Sequence, residues 1–171
     1  MNNERDLLTG LPNRGCGLSQ LENAVAEAKQ QSNTTAVILT DIDHFSDLNC
    51  SLGHQAGDNV LRQSAAVIQR IIAGKGIACR FGGDEFFVVL PSASVAQAKD
   101  IAEEIREQVA KQTVDVFGQD YTVTINMTIG IASYPANGQD AESLLRAADE
   151  AMWQSKKSGR RGTIRGTIST A

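Results

Sequence analysis

Ile77-Ala78-Cys79-Arg80-Phe81-Gly82-Gly83-Asp84-Glu85-Phe86-Phe87-Val88-Val89-Leu90 decides how this chain folds. Residues 77–81 and 86–90 are apolar, β-prone runs, and only Gly82-Gly83-Asp84-Glu85 lies between them. A connection that short, with Gly in it, makes a hairpin, because a parallel crossover needs a dozen or more residues. A purely parallel sheet is therefore excluded. Upstream, residues 35–40 are short, apolar and β-branched, which predicts a buried strand ending at Asp41-Ile42-Asp43. Residues 44–58 read as a polar, Gly-containing connection.

Helical periodicity fills the rest. Residues 11–31 read as a helix with Pro12 in its first turn and Leu18, Leu21, Val25 and Ala28 on one face. A second helix carries Leu61, Ala65, Ile68 and Ile72, and Gly74-Lys75-Gly76 ends it. Residues 94–112 predict a third, with Val95, Ala98, Ile101, Ala102, Ile105 and Val109 inward, and residues 121–133 are β-rich. Asp140 is the expected N-cap of a last helix running to about residue 158, with Leu144, Leu145, Ala148 and Met152 as its stripe and Gly159 as its stop. Residues 1–6 read as a frayed end. Residues 162–171 read as a short strand or the stub of a linker, so that the domain proper is 1–161 and looks cut from a longer protein. The expected class is α+β, a mixed, antiparallel-containing sheet flanked by helices.

Composition narrows the function. The 171 residues suit one compact domain, with 42% hydrophobic and 21% charged residues. A net charge of -4 argues against broad contact with nucleic acid, which needs a basic face, but leaves room for a small phosphorylated ligand. No apolar run approaches the roughly 20 residues of a membrane span, and no basic segment leads into an apolar one at the start. No membrane contact is expected of this segment. Cys16, Cys50 and Cys79 are odd in number and form no CxxC, and His44 and His54 are too few for a metal cage. A reducing cytoplasm is the expected setting.

Two acidic features can carry chemistry. A strand end with Asp41 and Asp43 and a hairpin tip with Asp84 and Glu85 can lie side by side in one sheet. Carboxylates brought together repel unless a cation lies between them, and Mg²⁺ suits one or two carboxylates plus substrate phosphates. Solvated acidic turns are the plainer alternative. Gly82 and Gly83 allow close approach of a ligand, or simply a tight turn. Lys156 and Arg160, four apart, could hold phosphates or merely complement a helix dipole. Asn49 and Asp58 offer groups for the guanine edge, or are loop and cap residues.

Taken together these pieces resemble the GGDEF domains. Asp6-Leu7-Leu8-Thr9-Gly10-Leu11-Pro12-Asn13-Arg14 is similar to the family's D-x-L-T-G-L-x-N-R opening. Asp41-Ile42-Asp43-His44-Phe45, Leu48-Asn49 and Gly53-His54-x-x-Gly57-Asp58 follow its second block, and Arg80-Phe81-Gly82-Gly83-Asp84-Glu85-Phe86 is the naming signature. Thr128-Ile129-Gly130-Ile131-Ala132 resembles its S-x-G-x-A strand, and Ala148-Asp149-Glu150-Ala151-Met152 with Lys156 and Gly159-Arg160 resembles its ending.

The resemblance implies a diguanylate cyclase: two GTP condensed into cyclic di-GMP and two pyrophosphates. It implies a nucleotidyl-cyclase-like palm with a βααββαβ core, and a transient homodimer of facing domains. It further implies Asp41, Asp84 and the Ile42 carbonyl as ligands of Mg²⁺, with Mn²⁺ an alternative. Asn49 and Asp58 would read guanine, with His54 in the same block. Lys156, Arg160 and the backbone at His44 and Phe45 would hold phosphates, and Glu85 would assist 3′-OH deprotonation. A sensor domain upstream or an EAL phosphodiesterase domain downstream would complete the parent protein. Three departures stand out. Ser46 replaces a phosphate-binding Lys, and Cys50 replaces an Asp. The R-x-x-D product-inhibition positions fall on Ala73-Gly74-Lys75-Gly76. The first two support the alternative of a degenerate module that binds GTP and regulates a neighbour.

Overall fold

A computed structural model of the chain describes residues 4–159, 161–162 and 164–166. Its elements run α1 Arg14–Gln31, β1 Thr35–Ile42, α2 Phe45–Leu52, α3 His54–Ile72, β2 Ile77–Gly82, β3 Glu85–Pro91 and α4 Val95–Val109. Then follow β4 Lys111–Val116, β5 Gln119–Thr124, β6 Met127–Tyr134, α5 Ala141–Lys157 and β7 Ile164–Gly166. The main sheet has the order β2-β3-β1-β6-β7. The β2–β3, β3–β1 and β1–β6 pairs are antiparallel, and β6–β7 is parallel. The expected α+β class with a mixed sheet is what the chain adopts, and β1-α2-α3-β2-β3-α4-β6 is the βααββαβ core.

Alternation along the strands builds two apolar layers. Ile38, Ile42, Phe86, Val88 and Leu90 face α3 and α4, meeting Val60, Leu61, Ile68 and Ile105. Val37, Leu39, Phe87 and Val89 face α1 and α5, meeting Leu21, Val25, Leu144 and Met152. Phe86 and Phe87 are both fully buried, on opposite faces. Each such side chain contributes about 1.5–3 kcal/mol through burial. No helix among the described residues is long and apolar enough to cross a membrane.

The structure departs from the sequence-based expectation in several places. The first helix begins at Arg14, because the Asn13 side chain accepts from the Cys16 N–H and caps it there. Pro12 stays outside, bridged to Arg5. Residues 5 and 6 are consequently not frayed. The polar stretch 44–58 is mostly helical: Phe45, Leu48 and Leu52 pack against the core edge from α2, and Gly53, at φ +87°, breaks it from α3. The hairpin connection is tighter than four residues, since Gly82 pairs with Glu85 across a register shift at Arg80/Gly82. Residues 111–116 leave helix α4 for a separate two-stranded ribbon, closed at Phe117-Gly118 with both φ angles positive. The β-rich run divides into β5 and β6 around Ile125-Asn126.

One glycine sets how closely α5 lies on the sheet. A Cβ on Gly130, in β6, would sit 1.9 Å from the Ala148 carbonyl oxygen and 3.0 Å from the Met152 nitrogen. Those neighbours are backbone and cannot swing aside. Gly130→Ala is expected to lower the unfolding midpoint by roughly 5–10 °C. An unchanged thermal melt would show that α5 is not seated this tightly.

Candidate active site

The β1–β3 register places Asp41 opposite Glu85 at the sheet's end. The Ile42 N–H donates to the Asp84 carbonyl at 3.3 Å and closes the ladder there. Because strand residues alternate, Ile42 goes into the α3/α4 core while Asp41 shares its face with Leu39, toward α1 and α5. From α5, the Lys156 ammonium reaches Asp41 Oδ1 at 2.6 Å. Burial pushes the Asp41 carboxyl above its ordinary value, the charges of Asp84 and Asp43 add to this, and Lys156 opposes it. Burial also raises Glu85, reinforced by the charges of Asp41 and Asp84.

Side chains from distant segments hold this end in shape. Arg80, on β2, donates from Nε to the Gly83 carbonyl at 3.0 Å and from Nη2 to the same oxygen. Its Nη1 meets Asp6 Oδ1 at 3.1 Å, and Asp6 also accepts from the Thr9 N–H and hydroxyl. The Arg80 N–H donates to the Pro12 carbonyl. The opening segment therefore braces the hairpin tip. On the other side, Asp43 accepts from the Thr128 hydroxyl at 2.8 Å and the Gly162 N–H at 2.8 Å.

The hollow above these acids has a volume of about 280 Å³. Asp41, Ile42, Asp84, Lys156 and residues 43–47 line it, together with Arg161. Ile42 is buried by its side chain, so it faces the hollow through its main chain. His44, at φ +59°, precedes α2 and makes no side-chain cap bond, which leaves the first N–H groups of α2 without a capping side chain. Gly82 and Gly83 edge the tip, and a Cβ at either would meet nothing within 4 Å.

Other expected site residues lie elsewhere. Glu85 lines a separate cavity of about 600 Å³ between α1 and α5, with Arg14, Phe81, Arg146 and Asp149. Asn49 sits on α2, and Asp58 and exposed His54 on the first turns of α3, outside the lining of the 280 Å³ hollow. The Asn49 Oδ1 is buried with no hydrogen-bond partner among the described residues. Its amide lies over Gly57, where a Cβ would come within 1.9 Å of that oxygen. Arg160 lies outside the described residues. Sequence reading missed Arg161, Thr128 and the tethering role of Asp43. The pairing of Asp43 with Thr128 crosses 85 positions, and no local pattern announces it.

The donor set suits a hard divalent cation. Asp41 and Asp84 bring carboxylate oxygens to the hollow beside Ile42, and the ammonium of Lys156 already shows that Asp41 takes a positive partner. The described residues contain no cluster of three or more His, Cys, Asp or Glu able to hold a metal alone. A substrate phosphate would have to complete the shell.

The family model described as "Diguanylate cyclase, GGDEF domain" matches residues 3–162. The chain belongs to the GGDEF domain family. This GGDEF domain is 35% identical over 159 residues to the response regulator PleD of Caulobacter vibrioides, covering 93% of the chain and 35% of that protein. It is 36% identical over 131 residues to diguanylate cyclase A of Treponema denticola, covering 77% and 35%. The GGDEF domain of DgcB from Caulobacter crescentus, solved in complex with c-di-GMP, superposes with a TM-score of 0.90 at 32% identity, covering 99% of this chain and 96% of that one. The GGDEF domain of PA1120 from Pseudomonas aeruginosa gives 0.86 at 37% identity, covering 94% and 98%. The chain spans about a third of the length of these curated relatives.

The crowded acids carry a stability consequence. A carboxyl whose pKa rises on folding weakens the fold as pH climbs through and above its ordinary value. Asp41 and Glu85, raised from 3.8 and 4.5, both do so, and the charge of Asp84 contributes to each. In chelator at neutral pH, Asp84→Asn is expected to melt about 2–4 °C above wild type. The difference should shrink as pH falls toward the ordinary carboxylate values, where Asp41 and Glu85 protonate. A gain independent of pH, or none, would contradict the electrostatic origin.

Proposed function

We propose that this GGDEF domain is one half of a diguanylate cyclase, joining two GTP into cyclic di-GMP with release of two pyrophosphates. One observation carries the reading: Asp41, near the end of β1, and Asp84, in the turn between β2 and β3, share a single hollow with Lys156 and the uncapped start of α2. A helix start without a capping side chain presents N–H groups and partial positive charge to a phosphate. The backbone at His44 and Phe45, Lys156 and Arg160 hold the β- and γ-phosphates. The unpartnered Asn49 oxygen accepts from the guanine edge, and Asp58 accepts beside it. His54 borders that guanine end.

Asp41, Asp84 and the Ile42 carbonyl hold Mg²⁺, or Mn²⁺ in its place. When bound, the ion supplies positive charge against the triphosphate and lowers the cost of the developing oxyanion. The second GTP comes from a second copy facing the first. The 3′-oxygen of each GTP bonds to the α-phosphorus of the other, and each pyrophosphate leaves with the electrons of the broken P–O bond. Glu85, whose carboxyl burial has made more basic, stands beside Asp41 to take the 3′ proton.

Concentrated protein incubated with GTP and Mg²⁺ or Mn²⁺ should yield cyclic di-GMP, resolved by chromatography. Unchanged but bound GTP would support a regulatory module instead, the reading that Ser46 favours. Asp84→Ala is expected to lose turnover by several orders of magnitude while keeping its circular dichroism spectrum. Wild-type synthesis by that variant would remove Asp84 from the site. The turn at Ala73-Gly74-Lys75-Gly76 has neither the Arg nor the Asp of a product site. Noncompetitive inhibition is therefore not expected when cyclic di-GMP is titrated into the assay, and micromolar inhibition of that kind would contradict this.

A further inference from the structure

The hollow is lopsided in charge. Asp41, Asp43, Asp47 and Asp84 line it, against the cations Lys156 and Arg161 among the described residues. A triphosphate entering it needs positive charge. Lys156 already lies on Asp41 at 2.6 Å. Position 46, at the start of α2 and exposed to the hollow, is a serine and offers none.

Arg161 differs from Lys156 in its partner. Its Nη1 lies 3.1 Å from His44 Nε2, and among the described residues it makes no ion pair with a carboxylate. On the other side of the ring, His44 Nδ1 lies 3.0 Å from Asp47 Oδ2. The imidazole thus holds the guanidinium beside the hollow that Ser46 also lines. The backbone beyond Arg161 is clamped as well. The Gly162 N–H donates to Asp43 Oδ2 at 2.8 Å and to the Thr128 hydroxyl at 3.2 Å. Ile164–Gly166 then pairs with β6. A guanidinium held this way keeps further N–H donors for phosphate oxygens, in the planar fork that matches them.

We propose that Arg161 grips the outer phosphates of the bound nucleotide, supplying from the C-terminal segment the charge that Ser46 does not. This rests on the nucleotide reading of the hollow and adds to it a residue that the sequence motifs did not indicate.

The test is calorimetric binding with Mg²⁺ of the α,β-methylene analogue of GTP, which cannot lose pyrophosphate, beside GMP. Arg161→Ala is expected to weaken the analogue about tenfold or more and to leave GMP within about twofold, since GMP has no outer phosphates. Ser46→Lys in the Arg161→Ala background is expected to recover most of the loss. Unchanged analogue affinity in Arg161→Ala overturns the proposal. So does an equal loss for GMP and the analogue, which would mark Arg161 as a prop for His44 alone. A double variant no tighter than Arg161→Ala overturns the exchange of charge between the two positions. Wild-type protein that binds neither ligand fails the nucleotide reading itself, and the proposal falls with it. A thermal melt of each variant separates loss of contact from loss of fold.

Discussion

The β1–β3 register, with Asp41 opposite Glu85, is the constraint on which the rest of this domain depends. The strand interiors are apolar and fully buried, so the register cannot slip by one residue without turning Leu39 and Phe87 out of one core and Ile38 and Phe86 out of the other. Holding it gathers acidic side chains at one end of the sheet. That arrangement costs stability, as the raised pKa values of Asp41 and Glu85 register, and the fold offsets it with Lys156. Lys156 can arrive only because α5 lies against β6 at the bare backbone of Gly130. Gly130 seats the helix at Ala148 and Met152, the latter about one turn before Lys156.

Two polar tethers keep that end rigid. Arg80 ties the tip at Gly83 to Asp6, and so makes the opening segment part of the site floor. Asp43 ties the C-terminal segment, through Gly162, to the same floor. The tethers join pieces 74 and 119 positions apart, so the hollow forms only when the domain has folded. Preorganised charge in a part-buried setting acts more strongly than the same groups would in water.

Much of this was legible in the sequence. The short gap between residues 81 and 86 announced an antiparallel pair, and Asp140 and Gly159 marked α5 correctly. The acids at 41 and 84 could be placed together because strand ends and tips fall at sheet ends. The helix over residues 45–52 was hidden because it is only eight residues long and its apolar face, Phe45, Leu48 and Leu52, is half-buried and set among polar residues within a Gly-containing stretch. The β4–β5 ribbon was hidden because Gln112 and Val114 are its buried residues, and their signal merges with the stripe of α4. Glu85 stands next to Asp84 in sequence, yet the pleat sends it to a different cavity.

The sequence alone determined the class of fold, the order of most of its elements, and the acids and bases the chain carries. Periodicity and turn chemistry are local, and they survive in any window of ten or so residues. Only the tertiary structure decided which of those groups share a hollow. It joined Lys156 to Asp41, set Glu85 opposite Asp41 on the wall of a neighbouring cavity, tethered Asp43 to Gly162 and brought Arg161 to His44. Each of these contacts spans 44 to 119 positions or depends on which face of a strand a residue occupies. Such choices are made by close packing of the two layers and by nothing that neighbours in the chain can express.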